Sequence, residues 1–420
     1  MTLLRRSAPL ETRATFESPT VPLTSTSLLD WLTGPRVHAG VTVNEKTAMG
    51  MPAVYRAVNL LSGALAGSPL KAFRDDADGN KVPAGPRSTA TQLLAKPHPD
   101  LTPYELWELA VAHVALWGNS YHRILRDSLD APKELWPIEP WTIRAGRAKG
   151  GQKFYEIDGD RDADGGPKPY TDREILHIPG IGYDGVCGVS PIRVARQGIG
   201  LALAAEEYGA RLWGSGSLAS GILQTEQRLT QEQADTLKER WKAKSSGLAN
   251  AHEAVVLDRG ATFQPLSIHP DDAQFIESRR FQIAEVARLY GIPPHMLMDM
   301  ERSTSWGTGI EQQAIGFVVW TLRPWVIRFE QRITKLFNPD TVYARFNLGG
   351  LLRGDAAGRA AFYKAMWEIG AFNTDEIRAL EELPPVPGGA GKQHYRPLNF
   401  GALGEYASEN ANQPNEGITA

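Results

Sequence analysis

The sequence predicts an α+β chain organised around two long helices, and three observations carry that prediction. Residues 101–178 read as one amphipathic helix, then short β-rich runs between Gly, Asp and Pro turns, without the strand–helix alternation of a parallel sheet. Asp272 to Tyr290 is nineteen residues without Gly or Pro, a helix of about 28 Å. From Ile310 to Phe337, Val318, Leu322, Trp325, Phe329, Ile333 and Leu336 step by three or four, which predicts a second helix of about 42 Å.

Residues 1–45 are rich in Ser, Thr and Pro with little periodicity, the pattern of an arm. Val54, Val58, Leu61 and Leu65 mark a helix from Pro52, closed by Gly67 and Pro69. Leu70–Phe73 reads as a strand running into an Asp78-Gly79-Asn80 turn. Thr102 is placed to cap the next helix, with Pro103 at its first position. Strands follow at Tyr121–Leu125, Leu135–Ile138, Phe154–Ile157 and Glu174–Ile178.

Ser190-Pro191 opens a helix to Trp213 with Ala or Gly at 195, 198, 200, 202, 204 and 205, small residues that let a neighbour approach closely. An insert at 218–268 holds a strand at Gly221–Gln224, a charged helix after Thr230 and strands near Ala254–Leu257 and Thr262–Ser267. On the 272–290 helix, Ile276, Ile283, Ala287 and Tyr290 share a face, and Gly291, Pro293 and Pro294 end it. Asp299 to Gly309 has no periodicity, and Pro324 is expected to kink the helix beyond it. A strand at Thr341–Phe346, helices near Asp355–Ile369 and after Thr374, and a polar tail from Pro384 complete the chain.

Composition excludes several classes. The net charge of −3 advertises neither a nucleic-acid nor an acidic-lipid binder. One cysteine, Cys187, leaves no intramolecular disulfide and suits a reducing compartment. The nine histidines include no H-x-x-x-H, so no metal site is expected. No apolar run of eighteen residues predicts a membrane span, and Glu11 and Glu17 argue against a signal peptide.

Two motifs imitate nucleotide sites. Gly180-Ile-Gly182-Tyr-Asp-Gly185 follows a strand, with Glu206 some twenty residues on, but five residues separate its third glycine from the helix that would have to meet a pyrophosphate. Gly388-Gly-Ala-Gly-Lys392 lacks the hydroxyl residue after Lys392 and follows prolines rather than a strand. His113 and His122 have no nucleophile motif beside them. No catalytic residue and no cofactor is therefore expected, which counts against an enzyme.

Seven motifs in one order resemble the portal proteins of long-tailed bacteriophages. They are Ala57-Val-Asn-Leu-Leu-Ser62, Trp117-Gly-Asn-Ser-Tyr121, Leu135-Trp-Pro-Ile-Glu-Pro140, Glu174-Ile-Leu-His-Ile178, Gly188-Val-Ser-Pro-Ile192, Ala287-Arg-Leu-Tyr-Gly-Ile-Pro-Pro294 and Leu348-Gly-Gly-Leu-Leu-Arg-Gly-Asp355. The resemblance implies a ring of about twelve subunits at one capsid vertex of the virion, assembled in the host cytoplasm, through which double-stranded DNA enters and leaves. It implies an arm at 1–45, a wing at 46–189, a first stem helix at 190–217, a clip at 218–268 and a second stem helix at 269–291. A tunnel loop at 292–309, a long helix and strand at 310–349, small crown-side helices at 350–383 and a tail at 384–420 follow.

The partners it implies are the major capsid protein, the terminase large subunit and a head-to-tail adaptor. The tunnel loop would present Met300, Glu301, Arg302, Ser303, Thr304, Ser305 and Trp306 to DNA. The clip would offer Lys238, Arg240, Lys242 and Lys244 to the motor or adaptor, although a solvated helix face explains that basic run equally well. Stem packing would rest on Ala202, Ala205, Ile276, Ile283 and Ala287.

Overall fold

The computed structural model describes residues 37–148, 150–162, 164–214, 221–224, 230–236, 239, 262–265, 272–298, 308–337, 341–352, 356–381 and 383–395. Two compact units divide the chain, one ending at Asn347 and the other beginning at Leu348.

The larger unit opens with α1 (Glu45–Ala48), capped by Asn44, and α2 (Pro52–Ala66), whose Val54, Ala57, Val58, Leu61 and Leu65 are all buried. Next come β1 (Leu70–Asp75), β2 (Lys81–Pro83), α3 (Thr89–Ala95) and α4 (Pro103–Trp117). Thr102 caps α4 as expected: its Oγ1 accepts from Glu105 N, and the Glu105 carboxylate accepts from Thr102 N. Gly118 ends α4 in the left-handed region, at φ 77°.

The chain then doubles back as β3 (Asn119–Arg126) and β4 (Pro132–Ile138), followed by β5 (Ile143–Arg147), β6 (Lys153–Arg161), β7 (Pro167–Tyr170) and β8 (Ile175–Pro179). Two antiparallel three-stranded sheets result, ordered β4-β3-β8 and β5-β6-β7. Tyr121 and Ile175 of the first meet Ile143, Tyr155 and Tyr170 of the second in one core cluster. The expected runs Tyr121–Leu125, Leu135–Ile138 and Phe154–Ile157 lie inside longer strands, and Glu174–Ile178 is shifted by one residue from β8. Three of these strands gave no sequence signal: β2 is three residues, β5 reads Ile-Arg-Ala-Gly-Arg, and β7 carries two prolines.

The small-residue helix is broken rather than continuous. α5 (Pro191–Val194) is a single turn capped by Ser190, and Ala195 leaves the helical region at φ −91°, ψ 8° before α6 (Arg196–Gly214). In the insert, β9 (Gly221–Gln224) pairs antiparallel with β10 (Thr262–Pro265), and 231–236 is helical; the strand expected at 254–257 lies outside the described residues. α7 (Asp272–Tyr290) has the bounds read from sequence.

The second long helix needs a correction. It starts at Thr308 as α8 (Thr308–Gly316), widens into a π-helical turn at Phe317–Leu322, and continues as α9 (Arg323–Thr334). Pro324 has no N–H for the carbonyl four residues back, so an α-helical ladder would lose a bond there. The π pattern reaches five residues instead, as in Arg323 N donating to Val318 O, and the helix passes the proline by widening. Val318, Leu322, Phe329 and Ile333 of the expected stripe are buried. β11 (Tyr343–Phe346) then pairs with β1, giving the sheet β11-β1-β2.

The smaller unit holds α10 (Gly349–Leu352), α11 (Ala356–Glu368) and α12 (Thr374–Leu380). Asn373 caps α12 reciprocally with Glu376, and Tyr363 donates to Glu381 at 2.6 Å. Gly388 and Gly389 both take positive φ in a 3-10 turn after extended residues, so Gly388–Lys392 has neither the strand nor the helix of a phosphate loop.

Candidate functional site

Two sequence motifs 69 residues apart meet where β3 faces the loop before α5. Asn119, the first residue of β3, donates through Nδ2 to Gly188 O at 2.8 Å and accepts at Oδ1 from Gly188 N at 2.7 Å. These two bonds fix the amide orientation, so Nε2 of His177, 3.0 Å from the same Oδ1, must carry its proton. Gly180 N donates to Gly118 O at 2.7 Å, Val189 N to Ile181 O at 2.7 Å, and Ser190 Oγ to Leu116 O at 2.6 Å. The loop that leads into α5 is thereby stitched to the end of α4.

This packing explains the glycine motif. A Cβ on Gly182 would collide with the Cys187 carbonyl, and one on Gly188 with Gly118 O. Gly185 opens no helix; the next begins at Pro191. The glycines serve close backbone approach, and the dinucleotide reading fails on its geometry.

The histidines are scaffold. His122 is fully buried, and burial holds its pKa down to about 3; His113 is held to about 4 for the same reason. Burial first, then the Arg332 and Lys153 charges, lowers His177 to about 3. Neutral rings without solvent access offer no general base. Among the described residues, no three His, Cys, Asp or Glu side chains are grouped to hold a metal, and no helix is long and apolar enough to cross a membrane.

α6 and α7 pack on each other, and Ala202, Ala205, Ile276, Ile283 and Ala287 lie on them. Ala202 and Ala287 are buried within the chain, Ala205 and Ile283 are half-buried, and Ile276 falls within the α7 span. Two small residues of α6 have neighbours inside the chain: Gly200 faces Val37, and a Cβ on Gly198 would lie 2.8 Å from Glu285 Oε2. Tyr290 OH donates to Ala115 O at 3.0 Å, which ties the end of α7 to α4. Met300, Glu301, Arg302, Ser303, Thr304, Ser305 and Trp306 lie outside the described residues, as do Lys238, Arg240, Lys242 and Lys244.

Sequence reasoning missed an exposed apolar surface on the loop before α5 and on α5, α6, α7 and the π turn. Tyr183 is 90% exposed, Trp320 80% and Ile181 79%, with Val194, Leu201 and Phe281 also exposed. A cleft of 670 Å³ between α7 and the π turn is lined by Phe281, Ala284, Phe317 and Trp320. The available signal was Trp320, a tryptophan lying off the apolar stripe of its helix. A monomer exposing this much large apolar surface on adjoining elements has the character of an assembly component.

The model of the family described as phage portal protein matches residues 52–382. The chain is 34% identical over 355 residues to the portal protein of Enterobacteria phage HK97, covering 83% of this chain and 82% of that one. With the probable portal protein of Streptomyces phage phiC31 it shares 32% over 391 residues, covering 89% and 83%. The crystal structure of an HK97-family phage portal protein from Corynebacterium diphtheriae aligns with a TM-score of 0.56 at 17% identity, covering 75% of this chain and 99% of that one. With the family model matched across 331 residues (52 through 382) and two portal proteins 32% and 34% identical over most of the chain, this chain belongs to the phage portal protein family.

Proposed function

We propose that this chain is the subunit of a portal, a ring of about twelve copies at one capsid vertex through which duplex DNA is packaged and ejected. The observation that carries the proposal is the α6–α7 pair with the β9–β10 ribbon between them in sequence, within a chain matched to the portal family across nearly all its described elements. In this reading 46–189 is the wing, 190–217 and 269–291 are the stem, 218–268 is the clip, 292–309 the tunnel loop, 310–349 the helix and strand behind it, and 350–383 a small crown side. The chain acts in the virion as a structural part rather than an enzyme, with the major capsid protein, the terminase large subunit and a head-to-tail adaptor as partners.

A ring needs heterologous contacts, in which one face of a subunit meets a different face of the next. Half-buried Ala205 is a suitable probe of that contact, whereas buried Ala202 reports on packing inside the chain. Ala205→Trp is expected to keep the unfolding temperature within about 3 °C of the parent but to leave subunits unassembled by light scattering. Normal rings from this variant would contradict stem-to-stem packing.

The tunnel loop is proposed to touch DNA as a collar, with Arg302 giving one weak phosphate contact per subunit and Glu301 limiting the grip. Shortening residues 300–306 is expected to leave rings and proheads intact while genome packaging or retention falls. Full-length genomes packaged and held at parental levels would reduce the loop to a connection. Charge reversal at Lys238 and Lys242 is expected to weaken capture of the terminase large subunit at physiological salt; undiminished capture would favour a solvated face.

A further inference from the structure

The register of β5 and β6 sets Arg147 opposite Lys153, two residues beyond the pair Ala145 and Tyr155. Because strand faces alternate, Arg147 and Lys153 extend the face on which Ile143, Ala145, Tyr155 and Ile157 form the core. Tyr155 approaches His177 of β8, and α9 packs on β8. α9 carries Arg328, Arg332 and, just past its end, Lys335, at i, i+4 and i+7 on one face. The charges of Arg332, Arg147 and Lys335 all bear on half-buried Lys153 and, with burial, hold its pKa down. Four cations, Arg147 of β5, Lys153 of β6, and Arg332 and Lys335 of α9 and its end, therefore converge, with Arg328 one turn back on the same face of α9.

Asp172 offsets part of this charge at Lys153, but from beyond ion-pair distance. No described carboxylate lies at ion-pair distance from Arg147, Lys153, Arg328, Arg332 or Lys335. Asp172 accepts the Tyr155 hydroxyl at 2.6 Å, and Asp184 accepts Val186 N and Cys187 N at 2.8 and 3.0 Å. Glu330 of α9 pairs with Arg345 at 3.2 Å and takes Phe346 N at 2.7 Å. Arg328 is half-buried and sits 5.6 Å from the centre of the Trp325 ring. Like charges held together and only partly offset destabilise the chain by mutual repulsion, a cost that a bound polyanion reverses.

We propose that Arg147, Lys153, Arg328, Arg332 and Lys335 form a phosphate-backbone site for duplex nucleic acid. The source of that duplex, the packaged genome, rests on the portal reading. Arg328 to Lys335 spans about 10.5 Å, about three base-pair rises of 3.4 Å along the duplex axis, a length over which a duplex presents several phosphates of one sign. The site holds DNA where the stem conducts it. α6 and α7 balance Arg196 and Arg211 against Glu206 and Glu207, and Arg279, Arg280 and Arg288 against Asp272, Glu277 and Glu285, whereas this cluster is one-signed.

The test is binding of a fluorescent 20-base-pair duplex to the full-length protein between about 50 and 200 mM NaCl, with particle mass recorded separately. The comparison is with the variant Arg147→Gln, Lys153→Gln, Arg332→Gln, Lys335→Gln. Each phosphate contact contributes about 0.9 to the log–log salt slope, so the variant's slope should be shallower by about 3 to 4. Across that salt range the parent should lose about a hundredfold more affinity than the variant. Equal slopes overturn the site, as does displacement of the duplex by polyglutamate as readily as by competitor DNA, which would make the partner an acidic protein. If the fourfold variant does not fold, exposed Lys335→Gln alone should lower the slope by about 0.9, and no change there overturns the proposal. A subunit mass without rings would count against the portal reading and leave this result standing by itself.

Discussion

Replacing Gly188 with alanine is expected to cost the larger unit roughly 4 kcal/mol or more and to lower its unfolding temperature by upwards of about 10 °C. A methyl group there would collide with Gly118 O and lie within 2.5 Å of Gly180 N and 2.9 Å of Gly180 Cα. All three atoms are backbone, held by the Gly180–Gly118 bond and by both bonds from Asn119 to Gly188. No side chain can swing away to make room. Either the loop lifts from the end of α4, leaving buried donors unpaired, or the helix end moves and carries β3 with it. Gly85→Ala is the matched control: a Cβ there meets nothing within 4 Å, and its backbone is not left-handed. Thermal unfolding of the two variants side by side checks the argument, and a Gly188→Ala protein melting with the parent would remove it.

Mild acid is expected to unfold the same unit steeply. His113, His122 and His177 are held to about 4, 3 and 3 by burial, against about 6.5 in an unfolded chain. Between pH 6.5 and about 4 the unfolded state therefore binds protons that the folded state does not. The sign follows: stability rises with pH through that window and falls as pH is lowered, by about 1.4 kcal/mol per pH unit for each histidine. Three together give up to about 4 kcal/mol per unit, enough to consume most of a typical domain's stability within two units. His122 has neither ring nitrogen paired among the described residues, so His122→Leu should flatten the acid limb by about a third without loss at pH 7.5. An unchanged acid limb in urea melts from pH 7.5 to 4.5 would place the acid response elsewhere.

Helix ends were legible wherever a local signal sets them. Thr102 with Pro103 and Glu105 fixes the start of α4, and Gly291 with two prolines closes α7, because caps and breakers act within one turn. Signals that depend on partners were not legible. The break at Ala195 follows a single capped turn that alanine itself does nothing to terminate. The π turn is visible as Pro324, but whether a helix kinks or widens depends on what packs around it. β5 and β7 have little strand character alone and exist because β6 lies between them.

The site divides in the same way. The motifs Trp117–Tyr121 and Gly188–Ile192 are plain in the sequence, yet that Asn119 grips Gly188 is a tertiary fact. The basic stripe of α9 has helical spacing and is readable; that Lys153 and Arg147 join it from some 180 residues away is not. Trp320 shows why a stripe alone misleads: an apolar residue off the stripe is exposed and marks a surface, not a core.

The central claim, that this chain closes into a portal ring, is tested most directly by end-on electron-microscope images of the purified protein. The account predicts class averages with a central channel and about twelvefold rotational symmetry, at a particle mass of that many chains. Monomers, or two-fold dimers without a channel, at concentrations where related subunits assemble would contradict it.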